Sequence, residues 1–115
     1  MSPRRHIEDS LQMSLVRVLK QFSKVLFFHV PNGGFRNVIE AARLKAMGVM
    51  PGVADLIFVM PPHATMYALE LKAPKKKPRD SQLEFKERVI AAGGKYEYAD
   101  NMDVAIHYLK EWGVL

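Results

Sequence analysis

Three ionisable side chains in the middle of the chain have types and spacing that could support chemistry. Asp55 precedes one apolar segment, and Glu70 and Lys72 lie near the end of the next. Two carboxylates about 4 Å apart repel each other by roughly 4 kcal/mol at an effective dielectric near 20, which would protonate one of them unless a cation intervenes. A divalent ion between them could polarise a phosphoryl oxygen, and a neighbouring lysine could orient the attacking water. The trio therefore points to phosphodiester hydrolysis.

The donor atoms restrict which ion would bind. Carboxylate oxygens suit a hard ion such as magnesium or manganese. The chain contains no cysteine, which excludes a thiolate zinc site. The alternative is that Glu70 and Lys72 are simply neighbours on a solvated strand face.

Two strands joined by a turn would bring these residues together. The apolar run 56–60 is typical of a buried strand, and 67–72 is a second strand. Pro61, Pro62 and the residue after them cannot continue a ladder, so the chain turns and the strands pair antiparallel. Because side chains two apart share a face, Glu70 and Lys72 should lie on one face, with Leu69 and Leu71 on the other, toward the core.

The segment 81–92 is the clearest helix. Ser81 and Glu84 have capping-box spacing, and Gly93 ends the run. Gln82 falls on the apolar stripe, where an amide needs a partner. This favours a hydrogen bond from Gln82 into the site, to Glu70, a water or a phosphate; the alternative is a bond to solvent or backbone.

The remaining periodicities predict helices over about 5–21, 37–47 and 101–112 and strands over 25–30 and 95–99. The first helix should bury a stripe, which consists of Ile7, Leu11, Leu15, Val18 and Phe22. Glu8 lies beside that stripe, where an acid is also favoured by the helix dipole. The order of elements predicts an α/β sandwich with a mixed sheet of about four strands flanked by helices.

Length and charge limit the function. The 115 residues support a single domain, 1–115, and the absence of a signal-peptide core or a membrane-length apolar run predicts a soluble, cytoplasmic protein without a membrane partner. Lys and Arg exceed Asp and Glu by 17 − 12 = 5. The segment 72–79 contains five cations and no acid, which favours a polyanionic partner.

Two segments are therefore candidates for contacting nucleic acid. The turn that begins at Pro31 has backbone N–H groups that could bind a phosphate. The alternative is a turn that only reverses the chain and binds nothing. The candidate contacts are Asn32, Gly33, Arg36, Lys75, Lys76, Lys77 and Arg79.

These motifs together resemble the PD-(D/E)XK nuclease superfamily, and within it the virus-type replication-repair nuclease (VRR-NUC) domain of stand-alone phage and bacterial proteins. The likeness spans about 8–112 and rests on Gly52-x-x-Asp55, Glu70-Leu71-Lys72, Gln82, Glu8 and the phrases at 29–34 and 93–96. Asp55 follows alanine instead of the proline in the superfamily's name.

The resemblance implies a restriction-endonuclease-like fold and a Mg²⁺- or Mn²⁺-dependent DNA endonuclease. Asp55, Glu70 and the Leu71 carbonyl would hold the metal, Lys72 would assist the attacking water, and Gln82 and Glu8 would support them. Relatives of this type imply a homodimer that cuts branched DNA in the manner of a Holliday junction resolvase, in a bacterial or phage-infected cell. Two alternatives stay open: a non-catalytic nucleic-acid-binding module, and a nuclease with the same site that acts on flap or linear DNA or on RNA.

Overall fold

The computed structural model describes residues 3–31 and 37–115 and contains a four-stranded sheet. The strands lie in the order β1-β2-β3-β4, and they are β1 (Leu26–His29), β2 (Leu56–Met60), β3 (Thr65–Leu71) and β4 (Lys95–Ala99). β1 and β3 both pair antiparallel with β2, whereas β4 pairs parallel with β3. The mixed α/β sheet is confirmed, and β2 and β3 occupy its centre.

The described residues also form four helices, namely α1 (Pro3–Phe22), α2 (Val38–Ala46), α3 (Asp80–Ala91) and α4 (Met102–Glu111). α3 connects β3 to β4, as a parallel pair requires a crossover. No helix in the described ranges is long and apolar enough to cross a membrane.

The start of α3 differs from the predicted capping box. Arg79 occupies the N-cap position, and Ser81 already lies inside the helix. Gln82 supplies the stabilising contact, because its Oε1 accepts a hydrogen bond of 2.7 Å from the Arg79 N–H. The spacing of Ser81 and Glu84 is correct for a cap, but the backbone turns into the helix two residues earlier.

The sheet buries a different set of side chains on each face. The first face is covered by α1 and α4, and its cluster includes Leu15, Leu19, Phe58, Leu69 and Leu109. The second face is covered by α3, and its smaller cluster consists of Ala54, Ile57, Ala68, Phe85, Val89 and Tyr96. β3 therefore supplies Leu69 to one core and Ala68 to the other, as strand alternation requires.

Several apolar side chains of α1 and α2 are exposed. In α1 the buried residues are Leu15 and Leu19, whereas Ile7 and Phe22 are 49% and 68% exposed. The stripe therefore follows the i, i+4 pair, and Leu19 replaces Val18 at its centre. α2 buries no residue at all, so it joins neither core.

Candidate active site

Asp55 lies directly before β2, and its carboxylate completes the hydrogen bonding of β3. Asp55 Oδ2 accepts a 2.8 Å hydrogen bond from the Leu71 N–H, two residues past Leu69, which pairs with the first residue of β2. The Leu71 carbonyl points toward the same side of β3 as its N–H, because both groups of one strand residue project the same way. The Asp55 carboxylate therefore lies on the side of β3 toward which the Leu71 carbonyl points.

Glu70 is buried beside Asp55. Its side chain is 3% exposed. Burial, followed by a hydrogen bond with Asp55 and the charge of Asp55, raises the pKa of Glu70 from 4.5 to about 10, although the charges of Lys72 and Arg79 oppose the shift. Without a cation Glu70 therefore keeps its proton at neutral pH.

The raised pKa of Glu70 indicates whether these residues suit a metal. A divalent cation could replace the proton, because both side chains offer oxygen donors and each disfavours the other's negative charge. Within residues 3–31 and 37–115, no group of three or more His, Cys, Asp or Glu side chains could hold an ion. The assignment of Asp55, Glu70 and the Leu71 carbonyl as metal ligands therefore stays a prediction.

Gln82 joins Glu70 to Lys72. Its Nε2 donates a 2.9 Å hydrogen bond to Glu70 Oε2, and its Oε1 accepts one of 3.1 Å from Lys72 Nζ. Gln82 and Lys72 are only 4% and 8% exposed. The partner expected for this buried amide is thus Glu70, and the same amide also fixes the lysine.

Gly52 allows α3 to lie close enough for these bonds. A Cβ added at Gly52 would lie 2.2 Å from the Ser81 carbonyl oxygen and 2.8 Å from the Gln82 nitrogen, and the φ of Gly52 is +80°. A side chain here would displace the first turn of α3 and with it Gln82. The loop before Asp55 therefore positions two members of the site at once.

Glu8 lies at the same end of the sheet but makes a backbone contact. Its Oε1 accepts a 2.9 Å hydrogen bond from the Ala73 N–H, one residue beyond Lys72. This bond ties α1 to the end of β3. The role of Glu8 as a metal or water ligand stays a prediction.

The basic loop, residues 73–79, comes directly after Lys72. Lys75, Lys77 and Arg79 are exposed and Lys76 is half-buried. The Lys75 N–H donates to Asp100 Oδ2 at 3.3 Å, which ties the loop to the end of β4. Asn32, Gly33 and Arg36 lie outside the described residues, so their predicted phosphate contacts stay predictions.

Two residues join the site without an assignment from the sequence. His29 Nδ1 lies 2.6 Å from the Asp55 carbonyl oxygen and must donate its proton, since a carbonyl can only accept. The Tyr96 side chain is buried on the sheet face that carries Glu70. Neither could be found from local pattern, because both contacts depend on strand register.

Comparison with known proteins gives the fold. No protein-family model matches the chain, and no curated protein matches it either. Two similar solved structures are described as a "VRR_NUC domain protein" and a "VRR_NUC domain". The first has a TM-score of 0.68 at 22% identity over 90% of this chain and 84% of its own; the second has 0.61 at 18% over 91% and 95%.

Proposed function

We propose that this chain, which has the fold of the VRR-NUC domain, is a metal-dependent DNA nuclease of the PD-(D/E)XK type. The observation that carries the proposal is the buried carboxyl group of Glu70 beside Asp55, connected to Lys72 by the buried amide of Gln82. A buried ionisable cluster lowers the stability of the fold, and packing alone would favour apolar side chains at these positions. Such clusters are typical of functional sites. The same-fold structures support a nuclease as the starting hypothesis.

Asp55, Glu70 and the Leu71 carbonyl would hold magnesium or manganese. Such an ion supplies Lewis acidity toward a phosphoryl oxygen and lowers the pKa of bound water. Lys72 Nζ donates one hydrogen bond to Gln82, and within the described residues its other two N–H groups have no hydrogen-bond partner, so they could donate to water or phosphate. Because Gln82 holds Lys72 and Glu70 at fixed positions, the amine needs little reorganisation before reaction.

The basic loop would bind the DNA backbone beside this cluster. Arg79 is near enough for its charge to act on Glu70, so the loop reaches the edge of the site. Each phosphate that Lys75, Lys76, Lys77 or Arg79 neutralises releases counterions, and binding should therefore weaken steeply with salt.

The preferred substrate would be branched DNA cut by a homodimer, as in Holliday junction resolvases. α2 supports this arrangement, because Val38 and Ile39 are 85% and 83% exposed and Met47 is 69% exposed. A second copy covering α2 would bury this apolar surface and place two sites about a twofold axis. Light scattering in solution should then give twice the chain mass.

The deciding experiment is cleavage of labelled linear, flap and four-way DNAs and an RNA duplex, with magnesium, manganese or EDTA. We expect metal-dependent, symmetric cuts in the four-way junction. Preferential cutting of flap DNA, linear DNA or RNA would keep the nuclease and replace the substrate.

Variants separate a nuclease from a non-catalytic nucleic-acid-binding module. Asp55→Asn and Lys72→Ala should abolish cleavage and retain junction binding in a mobility-shift assay. Lys77→Ala is the matched lysine control, because Lys77 is exposed on the loop and should weaken binding without abolishing cleavage. No cleavage of any substrate by the unaltered protein with either ion would refute the proposal.

A further inference from the structure

The hydroxyl of Tyr96 is a buried polar group without a hydrogen bond. Tyr96 is 3% exposed, and within the described residues its hydroxyl has no partner. The ring packs edge-on against Phe85, with centroids 6.3 Å apart. Phenylalanine would provide the same packing and leave no buried polar atom unsatisfied, so packing alone does not explain a tyrosine here.

Strand register places Tyr96 on the sheet face that α3 covers and that carries Glu70. In the parallel pairing of β3 and β4, Tyr96 lies opposite Ala68, two residues before Glu70. Ala68 and Glu70 share a face because side chains alternate along a strand. The Tyr96 ring belongs to the cluster that also contains Ala54, next to Asp55.

Electrostatics agree with this placement. Burial raises the pKa of the Tyr96 hydroxyl, and the charges of Glu70 and Asp55 raise it further. The phenol is therefore protonated throughout the neutral range and can only lose its proton to a strong base. It is a permanent hydrogen-bond donor beside two carboxyl groups.

The carboxyl groups have acceptor capacity to spare. Gln82 donates to Oε2 of Glu70, and the Leu71 N–H donates to Oδ2 of Asp55. An ionised carboxylate has about four acceptor positions on its two oxygens. A donor on the same face of the sheet could therefore bond to a remaining acceptor position of Glu70 or Asp55.

We propose that Tyr96 is a positioning residue of this site, and that its hydroxyl donates to the ionised Asp55–Glu70 pair, directly or through one water, when a divalent cation is bound. This inference rests on the proposed metal site. Groups that orient metal ligands commonly change metal affinity by about ten- to a hundredfold when they are removed.

The test is Mn²⁺ binding by isothermal titration calorimetry to Tyr96→Phe, in the absence of DNA. We expect the Mn²⁺ dissociation constant to rise about tenfold. The melting temperature of the metal-free variant should stay the same or increase, because an unsatisfied buried hydroxyl is removed. A merely structural tyrosine would not show loss of Mn²⁺ affinity together with retained stability.

Tyr67→Phe is the matched control. Tyr67 lies on β3 but on the opposite face, where its ring packs 5.2 Å from that of Trp112. Its removal of one hydroxyl should leave Mn²⁺ affinity unchanged. If Tyr67→Phe weakens Mn²⁺ binding as much as Tyr96→Phe, the effect is not specific to the site and the inference is wrong.

The outcomes also separate this inference from the proposed function. Unaltered protein that binds Mn²⁺ and cleaves DNA, with Tyr96→Phe equal to it within twofold in Mn²⁺ affinity, overturns the inference alone. Unaltered protein that neither binds Mn²⁺ nor cleaves any substrate overturns both. If the melting temperature of metal-free Tyr96→Phe falls sharply, the hydroxyl already has a structural partner and the inference is also overturned.

Discussion

The two faces of the central sheet share the same strands and both bury apolar clusters, but among the described residues the charged side chains that are buried lie under α3. Under α1 and α4, β3 contributes Leu69 and Leu71 to an apolar core. Under α3, the alternate residue Glu70 is equally buried, and Lys72 and Gln82 are buried with it. Since both faces exclude water, the difference lies in chemistry and not in exposure.

The α3 face thus combines apolar packing with a buried ionisable cluster. Apolar burial stabilises a fold in proportion to area, whereas a buried acid reduces stability unless it is neutral or paired. Glu70 should therefore lower the stability of the α3 face, and no such cost arises from Leu69 and Leu71 on the opposite face. Adjacent residues on β3 allow the two faces to be tested separately.

Glu70→Gln should have the largest effect, on activity alone. Glutamine resembles the protonated acid that the metal-free protein holds, so stability at neutral pH should be retained. Cleavage should fall by about a thousandfold, because a ligand charge is lost. Single-turnover cleavage and thermal melting measure the two quantities. A melting temperature that drops while activity persists would reverse the contrast.

Leu69→Ala tests the apolar face at the neighbouring position. Leu69 is fully buried, and the truncation should lower the free energy of unfolding by about 2–5 kcal/mol. Cleavage per folded molecule should stay within about twofold of the unaltered protein. Urea denaturation gives the stability. An equal loss of cleavage in fully folded protein would show that the faces are not independent.

Gly52→Ala should displace the first turn of α3 and with it Gln82. The added Cβ would overlap the Ser81 carbonyl and shift Gln82, so both stability and cleavage should decline. Gly93→Ala is the control, because its φ of +93° is similarly unfavourable but nothing lies within 4 Å of the added atom. Gly52→Ala should cost at least about 1 kcal/mol more than the control. Equal denaturation midpoints would exclude the steric explanation.

The stability of the metal-free protein should depend on pH through Glu70. The pKa of Glu70 is about 10 in the folded protein and 4.5 ordinarily, so between these values the folded state keeps a proton that the unfolded state loses. Its contribution to stability is therefore present at low pH and declines as pH rises, by at most about 1.4 kcal/mol per unit. Denaturation in EDTA from about pH 6 to about pH 8 measures the slope. Glu70→Gln should flatten it, and an unchanged slope would contradict the assignment.

Local pattern predicts much of this protein. The alternation that sends Glu70 and Leu69 to opposite faces has a period of two residues and needs no tertiary information. The extent of β4 follows from the sequence, as does the turn between the antiparallel central strands. The buried amide at Gln82 could also be anticipated, because a polar residue on an apolar stripe needs a partner.

The sequence by itself determined which side chains could form an acidic and basic cluster, because strand and helix periodicity act over a few residues. Only the tertiary structure decided that Asp55 caps the Leu71 N–H and that Glu8 reaches Ala73 across 65 residues. It also left α2 without a buried face. These outcomes depend on how elements distant in the chain pack together, and pairwise packing over such separations leaves no periodic signal in the sequence.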